Sequence, residues 1–274
     1  MNLKNPSQLI FALTMVGIGI MGLLTGGFGA IWAGVPKALP ERHLLAYACT
    51  IISLGCGAGL LVNRTAAGAA LVLSAFLIVW TAFFKVPFII KSPLVEVAYQ
   101  SCGESLVLVA GAWMLFVSSA KKGNNERLIK LASPAGSRIA YLLYGLALIA
   151  FGFSHFAYLN LTVPLVPAWL PVPRMWAYLT GFIYLATGFL IVTGIGMRLG
   201  AVISAVQIAL ITILVWGPFV LKGPLDTESL QEPVVSWALT AAAYVVAQSF
   251  RGQPWFHRFQ GRNVEKEVAA GGSF

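Results

Sequence analysis

Charge is missing from long stretches of this chain and gathers in the short ones between them. MVGIGIMGLLTGGFGAIWAGV (15–35) and AAGAALVLSAFLIVWTAFF (66–84) hold no charged residue. Their apolar positions cover every face instead of alternating, which argues against a β-barrel. About 20 apolar residues span the hydrocarbon core of a bilayer, and backbone in lipid must satisfy its own hydrogen bonds, so such runs are helices. The pattern predicts eight of them, near 8–32, 43–62, 66–90 and 94–119, then 139–160, 174–193, 199–221 and 233–250. The first has a weak basic flank (Lys4 alone) and is too long for a signal-peptide core, so it reads as a retained helix.

The chain also repeats itself. Shifted by 131, VPKALP (35–40) falls on VPAWLP (166–171) and PFIIKSPL (87–94) on PFVLKGPL (218–225), while Gly57 falls on Gly188 and Gln100 on Gln231. About twenty identities accumulate without a gap, with Pro and Lys in the same order, which is the mark of an internal duplication. The expected fold is all-α: a polytopic membrane protein of eight transmembrane helices in two four-helix-bundle repeats. Residues 1–119 form the first repeat and 139–250 the second. The polar, basic linker 120–138 separates them, and 251–274 is a flexible tail. Four spans is an even number, so the repeats enter lipid the same way up and are parallel.

Composition sharpens this picture. Only 10% of residues are charged against 58% hydrophobic, where a soluble domain carries about 25% charged residues. All but six of the 18 Lys and Arg fall on the side of the termini and the linker, the six being Lys37, Arg42, Lys85, Lys91, Arg174 and Lys222. The positive-inside rule then places both termini in the cytoplasm. The net charge of +9 is an orientation signal, and no nucleic-acid partner is expected. The proline-rich turns face the other side as stiff lids, with Trp32, Trp169, Trp176, Trp216 and Trp237 as interfacial anchors. Cys49, Cys56 and Cys102 form no CxxC pair and read as packing residues.

A few residues could carry chemistry. His155, in FGFSHFAY, is ionisable at membrane depth, and such a residue is a functional candidate. The alternative is a neutral imidazole bonded to a neighbouring helix. Its repeat partner is Leu24 or Thr25, so a role would belong to one half. His155 with His43 could ligate haem or metal, but no spacing requires it, and no metal is expected. Glu104, in QSCGESLV, needs a proton or a partner. Lys85 could serve only by bending inward, so Glu96 is the easier mate for Lys85 or Lys91. Lys91 and Lys222 recur between prolines, as anchors or as contacts for lipid headgroups or an acidic or quinone-like ligand. Gly55-x-x-x-Gly59 and Gly196-x-x-x-Gly200 offer small faces for helix contact.

FGFSHFAY, VPAWLP, WAYLTGFIYLATGFLIVTG and MRLGA, in that order over about residues 145–225, resemble the DoxX-like family of four-helix membrane proteins. The first half resembles it through the internal repeat. The resemblance implies a multi-pass protein of the bacterial inner membrane built from four-helix units. It also implies an accessory role near quinone-linked or respiratory redox chemistry, since the family's namesake is a subunit associated with thiosulfate:quinone oxidoreduction. Relatives often carry a His shortly before the proline that ends the third span. Here those places hold Lys85-Val86-Pro87 and Trp216-Gly217-Pro218, and the paired cysteines of redox-linked relatives are missing.

Three functions follow as expectations. The first is an accessory subunit holding a quinone or other lipophilic ligand near His155, Tyr158 and Trp169, with membrane lipids and a membrane or peripheral redox subunit as partners. The second is a small-molecule or proton-coupled permease using Glu104. The third is a membrane assembly factor without ligand chemistry. Whether the chain is an enzyme is left open.

Overall fold

A computed structural model describes residues 5–120, 126–224, 226 and 229–256. Among these the chain is all-helical, with no strand. The long helices are α1 (Pro6–Thr25), α2 (Arg42–Leu61), α3 (Ala66–Lys91), α4 (Glu96–Ala120), α5 (Pro134–Ala157), α6 (Pro173–Thr193), α7 (Met197–Lys222) and α8 (Gln231–Ser249). Their ends follow local chemistry. Gly26 closes α1 at φ 61°, its N–H bonded to Gly22 O at 3.0 Å. Ser133 caps α5 by accepting the Gly136 N–H at 3.2 Å, ahead of Pro134 in the first turn.

Seven helices, α1 to α7, are long and apolar enough to cross a membrane, and the chain reads as a multi-pass membrane protein. The eight-span expectation is therefore met for seven. α8 has the length, at 19 residues, but its sequence QEPVVSWALTAAAYVVAQS is rich in Ala and polar residues. Packing explains the shortfall. The helices contact in a ring, each against the next and α8 against α1, and α4 and α8 also touch across the middle. A helix walled in by protein meets less lipid and can spend its surface on small and polar residues. α4 follows the same rule, with 67% of its apolar window buried against 33–50% for the other six.

α4 and α8 run in the same direction. A Cβ on Gly111 would lie 2.9 Å from Ala242 Cα, which marks a close approach of the two helices. Toward both N-terminal ends, Glu104 lies within electrostatic range of Glu232. Gly111 and Ala242 are themselves 131 residues apart.

That spacing recurs in the backbone. α3 widens into a π-turn at Thr81–Lys85 and α7 into one at Thr212–Trp216. Leu39 N–H bonds Pro36 O, and Leu170 N–H bonds Pro167 O. The only two described non-glycine residues at positive φ are Glu41 (53°) and Val172 (52°), each just before a helix. In this left-handed region a Cβ crowds the backbone, most of all in a β-branched residue. Val172→Asn is therefore expected to raise stability by about 1 kcal/mol, read from SDS unfolding titrations of the full chain. An unchanged or lower midpoint would show that Val172 is unstrained.

The lids differ. Ala30, Ile31, Trp32 and Val35 are buried, whereas nothing in Val163–Leu165 is. Trp32 is accordingly no interfacial anchor. Its Nε1 donates to Ser53 Oγ at 2.9 Å, and its ring packs edge-on against Phe76 and Trp80, both at 5.3 Å. The flexibility expected of the tail falls on residues 257–274, outside the described residues. Before them, Arg198 lies 4.0 Å from the Trp255 ring centroid.

Candidate functional site

Two polar features sit among the helices at the lid end, one on each side of α4. The first is Lys85, only 3% exposed. Trp80 and Lys85 are five residues apart, which on a regular α-helix separates them by about 140°. The intervening π-turn adds a residue and brings both inside. Lys85 therefore bends inward, and Glu96 is not its mate. Its Nζ donates to Ser101 Oγ on α4 at 2.6 Å. Its stem passes beneath Gly34 of the first lid, where an added Cβ would sit 3.6 Å from Cδ, Cε and Nζ. Glu104 and Cys102 lie within electrostatic range of it, and Gln100 offers its side chain to Glu104. At the positions 131 later stand Trp216 for Lys85 and Val235 for Glu104, so both polar groups are missing there together.

The second feature is a cleft of about 620 Å³ between the end of α3, α4 and α5. Its floor is apolar, including Gly103 and Leu106 of α4 and Ala147, Ala150 and Phe153 of α5. Phe153 is exposed, so the cleft opens sideways, where lipid would lie. Its polar residues, Glu96, Tyr99 and Cys102, are all on α4. Glu96 and Leu106 are ten residues apart, which makes the cleft about 15 Å long down the helix. Ser154 of α5 donates to Glu96 Oε1, while Oε2 is buried without a partner among the described residues.

No matching cleft is expected beside α8. Val234 stands 131 residues after Gly103 and Trp237 after Leu106, so larger side chains occupy both places. The Trp237 indole donates to Thr14 Oγ1 of α1 at 3.0 Å, bridging the gap that Leu106 leaves open.

The residues singled out from sequence scatter around these features. His155 is half-buried and turned toward α6, not into the cleft. Its Nδ1 lies 2.9 Å from Phe151 O, and its ring packs 5.3 Å from that of Tyr184. A backbone carbonyl only accepts, so Nδ1 carries the proton. Tyr158 accepts the Val97 N–H at 3.1 Å, tying the start of α4 to the turn after α5. Lys91 and Lys222 are exposed at the C-terminal ends of α3 and α7, where a cation suits the helix dipole. Trp169 is 70% exposed in the second lid, and His43 is exposed on α2. Glu228, in the loop before α8, lies outside the described residues. Among the described residues no group of three His, Cys, Asp or Glu side chains could hold a metal.

The contacts pair His155 with a position other than the Leu24 or Thr25 expected from the offset of 131. Gly19 packs on Leu54 and Gly152 on Leu185. Leu54 and Leu185 are 131 apart, but Gly19 and Gly152 are 133 apart. With that shift His155, which packs on Gly181, corresponds to Gly22, which packs on Thr50. A side chain faces a glycine in both cases, with the roles exchanged between the two helices.

No family model matches the chain, nor does any curated protein or solved structure.

Proposed function

We propose that the chain is a DoxX-like protein of the bacterial inner membrane, an accessory subunit of a quinone-linked or respiratory redox system that holds a lipophilic, quinone-like molecule. The lateral cleft beside α4 carries this reading. It has room for a drug-sized ligand, an apolar floor and a few polar groups at one end. A quinone has that same division into ring and apolar tail, and it travels within the bilayer onto which the cleft opens.

The architecture proposed with it is two parallel four-helix repeats, α1–α4 and α5–α8, making eight spans with both termini in the cytoplasm. The matched π-turns, the matched positive-φ residues and the Gly111–Ala242 contact support the pairing. The basic linker supports the orientation.

Leu106→Trp tests the cleft. It installs the residue type already present 131 positions later, at Trp237. The full chain in nanodiscs should bind decyl-benzoquinone, and the variant should bind it at least tenfold more weakly with its melting temperature kept. Equal binding by the two proteins would overturn the reading. Native mass spectrometry of the detergent-purified chain should also find a co-purifying quinone or lipid.

A second reading, a proton-coupled permease, draws on the buried Lys85 and its neighbour Glu104. It requires pH-linked solute flux in proteoliposomes that Glu104→Gln abolishes.

A further inference from the structure

We infer that the cleft selects an amphiphile whose head donates a hydrogen bond, with Glu96 as the acceptor that reads it. This rests on the cleft reading above and adds the chemistry of the head. For a quinone-like molecule it means the reduced form, the hydroquinone, rather than the quinone. The same chemistry could come from an aminophospholipid, whose ammonium also carries N–H groups.

The polar end of the cleft offers an acceptor, and the hydroxyls beside it are already committed. Tyr99 gives its proton to Pro93 O at 3.0 Å. Ser154 gives its proton to Glu96 Oε1. The Val97 N–H, at the start of α4, is taken by Tyr158. Glu96 Oε2 remains, buried and unpaired among the described residues. Held as a carboxylate, Oε2 is a buried acceptor without a partner, which is costly, and a ligand donor that reaches it removes the cost. A quinone carbonyl brings another acceptor to the same place and would leave both unsatisfied. A hydroquinone hydroxyl or an ammonium brings the missing proton.

The geometry suits such a molecule. Glu96 and Tyr99 lie at the lid end of α4, and Leu106 lies about 15 Å deeper. A head at Glu96 would leave its tail running along Gly103, Leu106 and Ala147 toward the middle of the bundle. α5 runs antiparallel alongside, bringing Ser154 next to Glu96 and Ala147 next to Gly103. The half of the chain containing α8 lacks this arrangement, because Trp237 stands where the tail would go.

The experiment uses the full chain in phosphatidylcholine nanodiscs, whose headgroup has no N–H, titrated anaerobically with decyl-hydroquinone and with decyl-benzoquinone. Wild type should bind the hydroquinone about tenfold more tightly, the worth of one hydrogen bond to a charged or buried acceptor. Glu96→Gln should reverse the preference. Ser154 still donates to the side-chain oxygen, so the amide N–H₂ faces the ligand and favours a carbonyl. Leu106→Trp should weaken both forms. Equal binding of the two forms by wild type, or an unchanged preference in Glu96→Gln, would overturn this inference and leave the cleft reading standing. Full binding of both forms by Leu106→Trp would overturn the cleft reading and this inference with it. Adding phosphatidylethanolamine to the discs separates the sources. Competition that Glu96→Gln abolishes would make the aminophospholipid an occupant by the same chemistry, and no competition would leave the hydroquinone. Failure of wild type to bind either probe or to retain phosphatidylethanolamine in native mass spectra would overturn both readings.

Discussion

Gly188→Leu is expected to eliminate the folded, monodisperse protein, whereas Gly55→Leu is expected to leave its stability within about 0.5 kcal/mol. Both glycines lie inside long apolar helices, so composition alone would rank them together. Their surroundings do not. A Cβ on Gly188 would lie 2.8 Å from Gly145 O and 3.1 Å from Ile149 N. Gly145 returns the contact, its own added Cβ lying 3.1 Å from Gly188 O. Both obstacles are backbone and cannot rotate away, so α5 and α6 would have to part. Separating the helices forfeits the packing and weak Cα–H···O contacts along the whole seam, a cost of about 3 kcal/mol or more. Gly55 has nothing within 4 Å of such a Cβ. Leu is also a better helix former than Gly by nearly 1 kcal/mol, which offsets any loss of a small lipid-facing surface. Size-exclusion profiles and SDS unfolding titrations of the two variants decide the matter. A monodisperse Gly188→Leu protein with wild-type stability would mean that α5 and α6 do not approach as described.

The same pair of glycines shows what could be read in advance. Apolar runs placed α2 to α7 to within five residues at each end, because lipid demands length and apolarity of each span and both are visible in sequence, but they carried α1 seven residues past its close at Thr25. They also placed α8, found at Gln231–Ser249 against 233–250, although its apolarity falls short of that of the other seven, relaxed by burial between α1, α4 and α7. The GxxxG spacing was only half informative. Gly59 and Gly200 are close-contact positions, with added Cβ atoms 2.8 Å from Ala69 Cβ and 2.9 Å from Thr187 O. Gly55 is open and Gly196 is required by its φ of 70°. Gly57 and Gly188, matched at the offset of 131, were the better signal, since each meets backbone of the preceding long helix. The π-turns were invisible, because a helical period counts residues and cannot show where one is added. That is why Lys85 read as an outward-facing residue and Glu96 as its mate. The cleft was hidden for a different reason. His155 drew attention to one face of α5, while the cleft uses another face, lined by Leu146, Ala147, Ile149, Ala150 and Phe153, none of which is polar.

Lys85→Met and Glu104→Val are each expected to destabilise the chain by about 2–3 kcal/mol, and the double variant by clearly less than their sum. Methionine nearly preserves the volume of lysine, so its cost is electrostatic and not that of a cavity. It removes the 2.6 Å bond to Ser101 Oγ and leaves Glu104 without its nearby cation, facing Glu232 across the α4–α8 contact. Glu104→Val has the converse effect, taking the carboxyl away from a lysine that only Ser101 then holds. Removing one member of a buried polar pair strands the other, whereas removing both lets the site pack as an apolar one. The chain already displays the apolar version, with Trp216 and Val235 at the positions 131 residues on. Lys85→Met/Glu104→Val should therefore recover about 1–2 kcal/mol relative to additivity. SDS unfolding titrations of the four proteins measure this coupling directly. Strict additivity would show that the two side chains do not sense one another and that Lys85 is held by Ser101 alone. A recovery in stability accompanied by loss of pH-linked flux would mean that a pair dispensable for folding is kept for moving protons, which would favour the permease over the quinone-linked subunit.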